Sequence, residues 1–100
     1  MIKIVYRPSK CELVISGHAG YAPKGYDIVC AGISALAAAV YETLGNISGF
    51  GVSDNGEACT LYFDTACGGG KCHETVFACA ANGMQAISAA YPEHAEYTEE

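Results

Sequence analysis

Basic side chains are scarce in this sequence. Five Lys or Arg stand against eleven Asp or Glu, a formal net charge of −6, and the five (Lys3, Arg7, Lys10, Lys24 and Lys71) are scattered. A nucleic-acid surface needs clustered positive charge, so a nucleic-acid partner is disfavoured. The acidic excess favours solubility first and a basic polypeptide partner second. Also missing is any apolar run of the roughly 20 residues that a bilayer requires. The longest candidate, 28–44, is Ala-rich and broken by Glu42 and Thr43, so no membrane partner is expected. There is no low-complexity tract, and 51% hydrophobic against 16% charged residues excludes intrinsic disorder. The first residues, Met1 to Arg7, alternate like a strand and lack the charged-then-apolar order of a signal peptide. A cytoplasmic protein is expected. No internal repeat occurs, and 100 residues suit one core, so 1–100 is expected to be a single domain.

Cysteine is plentiful by contrast, with six copies. In a secreted chain they would suggest a disulfide framework. In a reducing compartment Cys acts as a small, readily buried hydrophobe, which is the reading for Cys11, Cys59 and Cys79. Cys67, Cys72 and His73 offer soft metal ligands, but the Cys spacing is wide and no second short-spaced pair completes a tetrahedral site. No metal and no cofactor are expected. Gly68-Gly69-Gly70-Lys71 lacks the rest of a phosphate-binding loop and reads as a hinge. His73 and His94 read as exposed polar residues.

Alternation over 2–6 and 11–16, with a turn at Arg7-Pro8-Ser9-Lys10, predicts a β-hairpin. Residues 17–26 hold three glycines and a proline without any period, which predicts a loop with freedom to move. From Asp27, the residues Ile33, Leu36, Ala37, Val40 and Leu44 recur at helical steps up to Gly45-Asn46. Short segments flanked by Gly49-Phe50-Gly51 and Asn55-Gly56 follow, then a strand alternating through Cys59, Leu61 and Phe63. A second helix carries Val76, Ala80, Gly83, Ile87 and Tyr91 and stops at Pro92. A last strand is expected near 95–98. The order ββαβαβ predicts an α+β two-layer sandwich, with one mixed or antiparallel sheet covered on one face by two helices. Tyr6 and Tyr62 are expected on the other face, open to solvent or a second subunit.

The chemistry concentrates where the first helix begins. Asp27 is a favoured N-cap, which puts Cys30 near the third helical position. Free N–H groups and the helix dipole favour a thiolate at such a terminus. His18 ends the second strand, just before the loop that leads back to this helix. An imidazole in reach of a thiol takes its proton and returns it to a leaving amine, the chemistry of cysteine-dependent acyl transfer. The backbone N–H groups of the same helix start, including that of Cys30, are expected to hold an oxyanion. Asp27 either orients the imidazole as a third member or serves only as a cap. Ser34, one turn after Cys30 on the same face, either bonds near the site or returns its hydroxyl to a backbone carbonyl.

Gly17-His18-Ala19, Gly25, Asp27-Ile28-Val29-Cys30-Ala31 and Ser34-Ala35-Leu36 together resemble the signature of the ribosomal-processing cysteine protease family, Prp. The match is dense over 17–36 and extends over the rest in length and element order. Gly32 departs from it, standing where an apolar residue after the first Ala is expected. The resemblance implies a catalytic dyad of Cys30 as nucleophile and His18 as base. It implies a homodimer and a substrate loop formed by Ala19, Gly20, Tyr21, Gly25 and Tyr26, in which Tyr21 and Tyr26 serve either as loop packing or as substrate contacts. It also implies the substrate: the N-terminal arm of the twenty-seventh protein of the large ribosomal subunit, from which a short extension is removed. Two other readings remain: a noncatalytic ribosome-associated binding module that keeps Cys30 as packing, and a thiol redox switch with a resolving cysteine.

Overall fold

The computed structural model of the chain describes residues 1–23, 27–64 and 72–100. Strands β1 (Ile2–Arg7) and β2 (Glu12–Ser16) form the expected hairpin, closed by a single 3-10 turn at Pro8–Lys10. Helix α1 (Ile28–Leu44) follows the loop, then β3 (Phe50–Asp54), β4 (Ala58–Phe63), α2 (Cys72–Ala90) and β5 (Ala95–Glu99). The order is therefore ββαββαβ, one strand more than the sequence predicted. The added strand, β3, carries Gly51, Ser53 and Asp54, which give little strand signal, and it pairs on one side only, with β4.

The sheet runs β3-β4-β2-β1-β5, antiparallel throughout except for the β1–β5 pair. Both helices cover one face, as the two-layer reading requires. Ile4, Leu13, Leu61 and Phe63 rise from that face into a core shared with Val29, Ile33, Phe77 and Met84. Phe77 is fully buried, worth roughly 1.5–3 kcal/mol of transfer free energy. Tyr62 lies exposed as expected, but Tyr6 is buried with Ile2 and Ile4, which share its side of the pleat.

On α2 the residues buried deepest are His73, Phe77, Ala80, Ala81, Met84 and Ser88. Most of the predicted stripe is rotated from that row, because α2 meets α1 as well as the sheet. A Cβ on Gly83 would come within 2.8 Å of Leu36 Cδ1, and one on Gly32 within 3.0 Å of Ile87 Cδ1. Gly32, the departure noted above, thus lets the helices approach closely. His73 is buried and not exposed: its ring stacks on Phe63 at 4.0 Å with planes 8° apart. Cys79 is exposed and not core, since it lies two residues from Phe77 on the outward side of α2. Among the described residues no helix is long and apolar enough to cross a membrane.

Candidate active site

Asp27 caps α1 with an extended backbone, φ −84° and ψ 98°. Its Oδ1 accepts from the N–H of Val29 at 3.0 Å and of Cys30 at 2.9 Å, and its carbonyl accepts from Ala31 at 3.0 Å. Its Oδ2 accepts from the N–H of Tyr21 at 3.2 Å, which ties the loop to the helix start. The N–H of Cys30 first, then the N–H of Tyr21, the Cys30 thiol and the N–H of Val29, hold this carboxyl below its ordinary range against the opposing effect of desolvation. Among the described residues neither oxygen of Asp27 takes a hydrogen bond from His18. The expected oxyanion donor at Cys30 is therefore already engaged, because a cap that closes the first turn consumes the N–H groups a substrate would need.

A different donor faces the sulfur. The N–H of Ala19, in the loop, points at Cys30 Sγ at 3.4 Å. Cys30 is half-buried, the third residue of α1, and opens onto two hollows of about 660 and 640 Å³. His18 and Ser34 border both hollows beside it. Gly20, Ala22, Asp27 and Ala31 complete the first; Asp54, Glu57 and Cys59 stand in the wall of the second. The Cys59 thiol is pushed up by burial and then by the Asp54 charge, so its thiolate is disfavoured.

Gly17 sets the approach to His18. Its φ is +80°, and a Cβ there would collide with the Met1 carbonyl oxygen, so the turn from β2 into the loop admits only glycine without strain. Of the loop, Ala19 is buried and Tyr21 is exposed but packed edge-on against Tyr91. Gly25 and Tyr26 lie outside the described residues, as do Cys67 and the Gly68–Lys71 hinge. Among the described residues no three of His, Cys, Asp or Glu converge as metal ligands.

His94, read as exposed, is half-buried, with Nδ1 3.0 Å from the Ala19 carbonyl oxygen. Sequence alone held no signal for it, since the contact spans 75 residues.

Residues 1–96 match the family model of the cysteine protease Prp. The chain belongs to that family. Membership makes the protein a cysteine protease and singles out a thiol beside an imidazole as the feature to seek. The fold of this Prp member superposes on the ribosomal processing protease Prp of S. aureus with a covalently linked product peptide, at a TM-score of 0.82 and 20% identity over all of both chains. The same S. aureus protease with a substrate peptide gives 0.70 at 20% identity, over 99% of this chain and 97% of that one. A protein of Streptococcus mutans gives 0.70 at 20% identity, over 98% and 90%. At such identities the likeness shows a shared fold. No curated protein matches the sequence.

Proposed function

We propose that this Prp member removes the N-terminal extension of a large-subunit ribosomal protein, the twenty-seventh, with Cys30 as nucleophile and His18 as base and then acid. The observation that carries the reading is the shared position of Cys30 and His18 on two adjoining hollows. A peptide laid across both would meet the sulfur and the imidazole, which border each hollow. Family membership supports the reaction class, and the peptides held by the S. aureus protease support the kind of substrate.

In this reading His18 takes the thiol proton and the Cys30 sulfur attacks the scissile carbonyl carbon. The oxyanion forms beside the Ala19 N–H, which is aimed at the sulfur and is not spent on capping. The C–N bond breaks as His18 passes its proton to the leaving amine. Water, deprotonated by His18, then hydrolyses the thioester and frees Cys30. Asp27 serves as the cap that holds Cys30 in place, Ser34 borders the peptide path, and Gly20 and Ala22 line it on the loop side. Asp54 and Glu57 in the second hollow, with the net charge of −6, suit a basic arm.

The enzyme is further expected to work in the cytoplasm as a homodimer. The exposed Tyr62, 40% accessible on the uncovered sheet face, supports the second point, which sedimentation would check.

The test is incubation with a peptide copying the N-terminal extension of the host's ribosomal protein, followed by mass spectrometry. Cleavage by the parent and none by Cys30→Ala is expected. A peptide left intact by the parent would overturn the reading.

A further inference from the structure

His94 borders neither hollow, yet it is tied to the sulfur through one residue. Its own backbone is fixed: its N–H donates to the Tyr91 carbonyl at 2.9 Å, and its carbonyl accepts from the N–H of Ile2 at 3.0 Å. The ring therefore projects from a rigid post between the end of α2 and the start of β1. A carbonyl oxygen can only accept, so the 3.0 Å contact with Ala19 requires the proton on Nδ1. Tyr21 packs edge-on against the same ring, with centroids 5.2 Å apart. Ala19 is 3% exposed and both its backbone groups are committed, the carbonyl to His94 and the N–H to Cys30 Sγ.

We propose that His94 is a positioning residue of the active site. By holding the Ala19 carbonyl it fixes the Ala19–Gly20 peptide unit and, through the Ala19 backbone, keeps the Ala19 N–H on the Cys30 sulfur. A donor aimed at sulfur stabilises the charged thiolate more than the neutral thiol. Freeing Ala19 therefore lowers the reactivity of Cys30 without touching substrate. Only the kinetic part of this inference rests on the reading of Cys30 as the nucleophile of peptide cleavage.

Two substitutions separate the donor from the ring. His94→Phe keeps an aromatic edge for Tyr21 and removes the donor; His94→Asn keeps an N–H at nearly the place of Nδ1 and loses the ring. The full chain is treated with iodoacetamide at one neutral pH, and labelling of the Cys30 peptide is timed by mass spectrometry against the exposed Cys79 as internal reference. His94→Phe is expected to label Cys30 about tenfold more slowly, the scale of one charge-assisted hydrogen bond. Its kcat should fall alongside with KM nearly unchanged, and His94→Asn should stay within about threefold of the parent. Parent-like labelling in His94→Phe, or equal slowing in both variants, overturns the proposal. Should His94→Phe fail to fold, His94→Gln decides: it sets the donor one bond too far out and should also be slow, and parent-like labelling refutes the role. Slowed labelling beside a parent that cleaves no peptide would fault the proposed function and uphold the positioning role. Cleavage by the parent with labelling unchanged in His94→Phe would do the reverse.

Discussion

Cys30 and Cys11 carry the same side chain and both stand near the start of a regular element, but the fold treats them oppositely. Cys11 precedes β2 in the left-handed conformation, φ 49°, with 2% of its surface exposed. Burial, and then the charge of Glu74, push its thiol up to about 11. Cys30 is half-buried at a helix start, faces two hollows and receives an N–H on its sulfur. The difference lies in water and in charge: burial beside a carboxylate keeps a thiol protonated, whereas access and a backbone N–H favour the nucleophile.

Deleting each sulfur in turn separates the two cysteines most widely. Cys30→Ala should abolish peptide cleavage, a loss of about a thousandfold or more. Cys11→Ala should leave kcat/KM unchanged and lower stability by about 1 kcal/mol for the lost packing. Comparable losses of cleavage in both variants would mean that the contrast has no catalytic meaning. Next in size is Gly17→Ala. A side chain at φ +80° against the Met1 carbonyl should cost about 1–3 kcal/mol in urea unfolding. Cleavage should fall further than stability does, because Gly17 sets where His18 begins. An unchanged kcat in a folded Gly17→Ala protein would separate His18 from the turn that delivers it.

What the sequence disclosed of this site was what is local along the chain. Asp27 three residues before Cys30 announces a cap and a helix start, and the helical spacing of 33–44 announces the face that buries. The same locality hid a consequence: the cap that places Cys30 also occupies its N–H, so the donor that faces the sulfur comes from Ala19 across the loop. His73 was legible in principle, since it stands four residues before Phe77 on the row that continues to Ala81, Met84 and Ser88. The stripe chosen instead faces α1, and a helix packed on two sides shows two such stripes. His94 had no sequence signal at all, because its partner is brought to it only by the closing of β5 onto β1. Strand β3 was missed because it is short, glycine-containing and held on one edge.

A smaller effect separates the two cysteines by what happens in acid. The Asp27 carboxyl lies below its ordinary range, chiefly through the Cys30 N–H, so the folded state binds this proton less readily than the unfolded chain. Its contribution to stability is full above the unfolded value of about 4 and disappears as pH falls through the lower folded value. Asp27→Asn should therefore be less stable than the parent at neutral pH, with the gap narrowing below about pH 4. Urea unfolding at pH 7 and pH 3 measures it. A gap that does not change between those two would mean that the cap works by shape and not by charge. Cys11, 2% exposed, should stay unlabelled by iodoacetamide in both proteins, whereas Cys30, whose N–H the cap holds, is the thiol whose labelling Asp27→Asn changes.

The mirror-image effect belongs to Cys11 at the alkaline end. Its folded value, about 11, lies above the unfolded one, so the folded state holds this proton the more tightly. The stability linked to it is fully present below the unfolded value of about 8.5 and is lost as pH rises through the folded value. The parent should therefore lose stability between about pH 8.5 and 11 more steeply than Cys11→Ala does, once the titration common to both proteins is subtracted. The slope of the unfolding midpoint against pH in the two proteins gives the answer. Equal slopes would show that water reaches this thiol in the native state. The reactivity contrast with Cys30 would then rest on the Ala19 N–H alone, leaving nothing to the difference in burial.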